Sequence, residues 1–283
     1  MTEARWQFLK KMVLSNVRDD RRIKNLRPQD RILLANVDNA TIHHMAAQIA
    51  RRILNDRLLE NNVIDVFGGF LSNGLIMRHH GGLFKLSIDR LVNKHSDGYY
   101  CIHYPDPMNT MANIRLVPLA LNMGHCGTFT LGMVQQAVGQ TVDLPSLLEY
   151  ESQTSRNRND TTLYAGCNSI LCRDELALSL FGNRRTMWQW MRTRLEAIGG
   201  RCEISGIPMN TNQEKGSPFQ MSIDAIKPEL GHVPGNMRIV CRFLNPVCCD
   251  KRKIRKDLED GPSQWTPELF RQYFRITQQQ HID

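Results

Sequence analysis

The sequence predicts an α+β protein in which two small hairpin units, each carrying an aspartate, are embedded in mainly helical surroundings. Three observations carry that expectation. One segment occurs in two near copies: Phe84 to Asn122 reads FKLSIDRL, a longer insertion, then NIRLVPLALN, and Phe219 to Asn245 reads FQMSIDAIKPELGHVPGNMRIVCRFLN. Both place Ser-Ile-Asp three residues after a Phe, and both place two Asn nine positions apart. Ahead of each copy, a basic stretch with apolar residues at helical spacing runs into a short, glycine-interrupted strand pattern. The repeat is therefore about 80 residues long and present twice.

In chain order, residues 1–35 are basic and broken around Pro28, with Arg18, Arg21, Arg22, Lys24, Arg27 and Arg31 close together. They suit a solvated helical face or an arm on a phosphate backbone. Ile42, Met45, Ala46, Ile49, Ile53 and Leu54 predict a helix over 40–60, capped by Thr41 or Asn39. VIDVFGGFLSNG reads as a short strand into a tight turn, and GGLFKLSID as a strand ending at Asp89. Residues 90–112 form a polar loop; a strand starts at Asn113 and turns helical near Pro118. Residues 127–153 suggest one or two short helices, and 151–162 a polar linker. Residues 171–198 are strongly helical with a break at Gly182-Asn183, and a last helix starts near Thr266-Pro267. The domain division expected is 1–150, with the first unit, and 163–283, with the second unit and a basic tail.

Composition bounds the partner. Lys and Arg number 36 against 28 Asp and Glu, a net charge of +8, which favours a polyanion and, most simply, nucleic acid. No apolar run reaches the ~20 residues of a membrane helix, so no membrane partner is expected. Glu3, Asp19 and Asp20 speak against a transit peptide at the basic N-terminus. Eight scattered cysteines, two of them adjacent at Cys248 and Cys249, do not form a secreted disulfide pattern, so an intracellular, reducing compartment is expected.

The second copy contains Cys202-Glu-Ile-Ser205-Gly206-Ile-Pro208, then Ser222-Ile-Asp224-Ala225-Ile226, then Gly231-His232-Val-Pro-Gly235-Asn236-Met-Arg-Ile-Val240-Cys241 and Asn245. The first contains Ser87-Ile88-Asp89-Arg90-Leu91, Asn113-Ile-Arg115-Leu-Val117 and Asn122, with a longer loop between. These spacings resemble the phage-type Ser-h-Asp-Arg-Ile branch of the HNH, or His-Me finger (ββα-metal), endonuclease superfamily. Together the units cover less than half of the chain. The resemblance implies two ββα-metal (HNH-like) units and a divalent-metal-dependent DNA endonuclease, homing or restriction-like. Asp224 with Asn245, and Asp89 with Asn122, would hold Mg²⁺ or Mn²⁺ through hard oxygen donors. Asn236 and Asn113 would brace the loops. The alternative is an inactive HNH-fold protein that binds DNA or RNA, or a component of a nucleoprotein assembly.

That alternative has a specific motive. The family's general base is a His directly after the Asp, and here Arg90 and Ala225 stand there. Arg stays charged and can only bind phosphate; Ala cannot take a proton. His232 and His95, in the loops, are either bases or aromatic structural residues. Catalytic candidates are therefore Asp224, Asp89, His232 and His95. A structural Zn²⁺ is disfavoured, because each Cys-x-x-Cys knuckle of the relatives is half lost: Cys202 is followed by Ser205, and Cys241 by Leu244. Nucleic-acid contacts are expected from Arg90, Arg51, Arg52, Arg184, Arg185, Arg192, Arg194, Lys251, Arg252, Lys253, Arg255 and Lys256, with DNA preferred over RNA.

Overall fold

The computed structural model describes residues 40, 43–44, 47, 58–59, 62–64, 70–72, 86–90, 114–118, 120–121, 130–153, 162–210, 217–245 and 265–276. The chain divides into two compact units, residues 1–79 with 85–122, and residues 80–84 with 123–283. Residues 123–150 thus belong with the second unit. The coarse class is α+β, with small sheets among helices.

In the first unit, residues 40, 43, 44 and 47 are helical, inside the helix expected over 40–60. Leu58 and Leu59, inside the range expected to be helical, instead form β1 (Leu58–Leu59) of an antiparallel sheet with β2 (Asn62–Ile64) and β3 (Phe70–Ser72), in that order, where one short strand from Val63 was expected. Strands of two and three residues are too short to show a period in the sequence. A separate hairpin pairs β4 (Leu86–Arg90) with β5 (Ile114–Pro118).

The second unit opens with α1 (Leu131–Val138) and α2 (Leu144–Gln153). Thr130 caps α1, its hydroxyl accepting from the Met133 amide at 3.3 Å. Of the linker expected over 151–162, residues 151–153 belong to α2, with Glu151 fully buried, Thr162 precedes the next helix, and 154–161 lie outside the described residues. The Glu151 carboxylate accepts from the backbone amides of Leu163 (3.0 Å) and Tyr164 (3.3 Å), at the start of α3 (Leu163–Leu171), and from Trp188 Nε1 (3.1 Å). Thr162, the residue before α3, makes no side-chain cap bond, so Glu151 satisfies the orphan amides from another helix.

The helical stretch expected over 171–198 breaks at Gly182-Asn183 as expected, giving two helices. Asp174 caps α4 (Glu175–Phe181), Gly182 ends it at φ 68°, and Asn183 caps α5 (Arg184–Ala197). Met187, Met191 and Leu195 form the buried stripe of α5, at the four-residue spacing of a helix face. Trp190 packs on Phe181, with ring centroids 6.0 Å apart, while Trp188 turns to Glu151. The two tryptophans thus take different faces, as their spacing of two requires.

A tight turn at Gly199-Gly200 then leads into the second hairpin, β6 (Met221–Ala225) with β7 (Met237–Cys241). A Cβ on Gly200, at φ 71°, would sit 2.8 Å from both Leu147 and Val142, so only glycine allows the close approach. Helix α3 packs on β6, Ile223 lying against Gly166. The last helix, α6 (Pro267–Phe274), has Thr266 as cap and Pro267 in its first turn, as expected. Phe270 and Phe274 on α6 pack with the buried Phe243 and Trp265, centroids 4.7–6.4 Å apart. Burying aromatic side chains of this size stabilises a fold by roughly 1.5–3 kcal/mol each, which makes this cluster a principal anchor of the β6–β7 hairpin. Among the described residues, no helix is long and apolar enough to cross a membrane.

Candidate functional site

The two repeated segments pair in one register. In the first hairpin Ser87 lies opposite Val117, Ile88 opposite Leu116 and Asp89 opposite Arg115. In the second, Ser222 lies opposite Val240, Ile223 opposite Ile239 and Asp224 opposite Arg238. Both registers thus pair an Asp position with an Arg position across the strands. The sequence held this signal, since an Arg stands two residues after the first Asn in both copies, but it had not been assigned a role at the site.

In the second hairpin the consequence is visible. Arg238 Nε donates to Asp224 Oδ2 at 2.7 Å, and the Asp224 side chain is only 1% exposed. A carboxylate removed from water must be compensated, and the guanidinium does so. The expected metal partner Asn245 follows a single 3₁₀ turn, Arg242–Leu244, where the resemblance implied a helix. Its amide nitrogen donates to Ser222 Oγ and to the Ile223 carbonyl, both at 2.8 Å. The Ile223 carbonyl can only accept, so the nitrogen must face the strand. A hard divalent cation needs anionic or carbonyl oxygens turned toward it. The Arg238 guanidinium on Asp224 stands against a cation there, while the Asn245 oxygen, opposite its strand-facing nitrogen, remains an acceptor. The described residues contain no group of three or more His, Cys, Asp or Glu that could hold a metal. Ala225, at the position of the family's base, is buried.

The loop between β6 and β7 is held at two points. Asn236 is buried; its oxygen accepts from the Lys227 amide at 3.0 Å and its nitrogen donates to the Lys227 and Gly231 carbonyls, both at 2.7 Å. All these partners lie in the loop, so one side chain closes it. The second point is Asp174, 58 residues away. Its Oδ2 accepts from the His232 backbone amide at 2.7 Å and meets His232 Nδ1 at 2.8 Å, while Oδ1 accepts from Ala177 N. Burial alone would raise the Asp174 pKa; the hydrogen bonds from His232 and Ala177 outweigh it and hold it below the usual 3.8. Gly231, at φ 68°, permits this approach, since a Cβ there would lie 3.1 Å from Asp174 Oδ2. His232 is thereby a docking residue with one ring nitrogen committed. Sequence could show Asp174 as a helix cap but not its second partner.

The half-lost knuckle is a hydrogen-bonded core. Buried Cys202 Sγ accepts from the amides of Cys241 (3.2 Å) and Ser205 (3.4 Å). Burial favours its neutral form, but the bonds from the side chains and backbones of Cys241 and Ser205 prevail, bringing its pKa down to about 6. Cys167, buried in α3, and Cys172, exposed beyond it, do not share surroundings.

Of the expected basic contacts, Arg184, Arg185, Arg192 and Arg194 all lie on α5. Arg194 is committed elsewhere: both its Nε and Nη2 bind the Glu203 carboxylate, which also accepts from the Ile239 amide at 2.7 Å. Its role is to tie α5 to β7. Arg184 and Arg185 stand in the first turn of α5, which has no acidic residue. The positive end of the helix dipole makes that placement cost about 0.3–1 kcal/mol per charge, a cost that an anion in front of them offsets. Asp89 and Arg90 lie on β4, where only the backbone register is described. His95, Asn113, Asn122, Arg51, Arg52, Lys251, Arg252, Lys253, Arg255 and Lys256 lie outside the described residues.

Comparison of the chain with protein-family models, with curated proteins and with solved structures finds no match.

Proposed function

We propose that this chain is a nucleic-acid-binding protein built on two HNH-like hairpin units, of which the second holds nucleic acid without cutting it. The observation that carries this reading is the Asp224–Arg238 pair: the one carboxylate a metal would need is buried and already neutralised at 2.7 Å. Ala225 beside it has no proton to exchange, and His232 has its Nδ1 bound to Asp174. What remains is a rigid hairpin flanked by a cationic helix, in a chain with a net charge of +8. That arrangement supplies phosphate contacts, which position a protein on nucleic acid without any chemistry.

Endonuclease activity, with Mg²⁺ or Mn²⁺, is the second reading and rests on the first hairpin alone. There Asp89 shares the register of Asp224 but is followed by Arg90, a cation suited to phosphate. The test combines binding and cutting. Mobility shift with duplex and single-stranded DNA and with RNA should show salt-sensitive complexes whose affinity is unchanged by EDTA. Plasmid incubated with Mg²⁺ or Mn²⁺ should stay supercoiled. Nicking that survives Asp224→Ala but is abolished by Asp89→Ala would transfer the protein to the second reading; nicking abolished by Asp224→Ala would overturn the first outright.

A further inference from the structure

One surface of the second unit carries a ligand chemistry that neither hairpin explains. Along α5, Arg184, Trp188 and Arg192 follow one another at four-residue spacing, and Tyr164 of α3 lies beside them. The Arg184 guanidinium carbon sits 4.0 Å from the centre of the Tyr164 ring. Tyr164 meets Trp188 edge to face, centroids 5.8 Å apart at 83°, and the Arg192 guanidinium lies 5.7 Å from the Trp188 ring. The result is an alternating row of cation, ring, ring, cation, all four side chains half-buried.

This row is built rather than incidental. Trp188 is fixed by its Nε1 bond to Glu151, and the same carboxylate caps the first turn of the helix that carries Tyr164. One buried acid therefore holds the Trp188 ring and the backbone from which Tyr164 projects. The guanidinium groups, laid against the rings, keep their N–H edges available for phosphate oxygens. Arg192 also has Glu196 at 3.4 Å, a mostly exposed pair of little energetic weight that a phosphate can displace.

We infer that this row is a contact for single-stranded nucleic acid, with Arg184 and Arg192 on phosphates and the rim of Tyr164 and Trp188 receiving an unpaired base. It rests on the nucleic-acid reading above and names the strand form that the second unit prefers. Eight residues of helix separate the two arginines by about 12 Å, so they reach different phosphates of one strand on either side of the rings. Duplex DNA keeps its base faces stacked and offers only phosphates, so the rings add affinity for a single strand alone.

The test measures fluorescence anisotropy of labelled oligothymidylate and of a labelled duplex with the full chain and its variants. Tyr164→Leu should weaken oligothymidylate binding roughly five- to a hundredfold, the range stacking contacts span, and should change duplex binding far less; Arg184→Gln, which removes a phosphate contact, should weaken both probes by more than Arg185→Gln does. Arg185→Gln, an exposed charge off the row, should cost about twofold on both. Trp188→Phe keeps a ring and should abolish most of the tryptophan quenching that the oligomer induces in the parent. Thermal melting of each variant separates a lost contact from a lost fold, and the Trp188 quenching, read with oligothymidylate against duplex, keeps the test valid if Tyr164→Leu unfolds. If Tyr164→Leu behaves like Arg185→Gln or weakens duplex and single strand equally, or if Trp188→Phe leaves the quenching as in the parent, the row is not this site although the protein still binds nucleic acid. If neither probe binds the parent chain, the nucleic-acid reading falls and this inference with it.

Discussion

Arg238 closes on Asp224 from directly across the hairpin, Nε to Oδ2 at 2.7 Å, so a protein cation sits on the carboxylate expected to hold a metal. Removing only one member leaves a buried charge uncompensated. Arg238→Met should therefore destabilise the second unit by about 3–5 kcal/mol, while Asp224→Asn with Arg238→Met should recover most of the loss. Urea denaturation of the two variants and the parent measures both. Calorimetric titration with Mn²⁺ should show no binding to the second unit of the parent. A destabilisation of the double variant as large as that of Arg238→Met would show that the pair is not what Asp224 requires.

Asn236 makes three hydrogen bonds within its own loop, two of them to carbonyls of Lys227 and Gly231. Asn236→Asp keeps the size but turns an oxygen toward each carbonyl. It should cost more than Asn236→Ala, which leaves buried backbone groups unpaired at about 1–3 kcal/mol. Hydrogen exchange of residues 226–236 should accelerate in both variants. Protection equal to the parent's in Asn236→Asp would contradict the loop-closing role.

The hairpins were legible because the repeat preserved side-chain type at fixed spacing, and a five-residue strand pair needs little more than that. The helix boundaries were legible where caps are local: Thr266 with Pro267, and Asn183 after Gly182. What escaped were long-range polar contacts. Glu151 looked like the first residue of a polar linker, yet it is buried because its acceptors serve α3 and Trp188. Arg194 looked like a phosphate ligand and is instead bound to Glu203. A charged residue's partner is set by tertiary approach, which periodicity does not encode. The metal set came from the resemblance, and the spacing of Asp224 and Asn245 could not show that Arg238 would lie between function and form.

The Asp174–His232 contact predicts an acid sensitivity. The folded Asp174 pKa is depressed below its unfolded value of 3.8, by the His232 amide and ring and the Ala177 amide acting against burial. A depressed carboxylate contributes stability that is present above the unfolded value and is lost as pH falls through the lower folded one. Asp174→Asn retains the helix cap but not the charge. Its melting temperature should lie below the parent's at neutral pH, and the gap should close in strong acid. A gap independent of pH, by scanning calorimetry, would remove the charge from the explanation.

The aromatic cluster of α6 contains one polar misfit. Among the described residues the buried Tyr273 hydroxyl has no hydrogen-bond partner, although its ring packs against Trp265 at 5.6 Å and Phe274 at 4.9 Å. An unpaired buried hydroxyl costs about 1–3 kcal/mol, and removing it while keeping the ring forfeits no contact. Tyr273→Phe should therefore leave the unfolding free energy unchanged or raise it by about 1 kcal/mol, whereas Tyr273→Ala, which empties the ring's volume, should lower it by about 3–5 kcal/mol. Chemical denaturation of the two variants reads the difference. A Tyr273→Phe variant less stable than the parent by more than about 1 kcal/mol would show that the hydroxyl has a partner holding α6 in place.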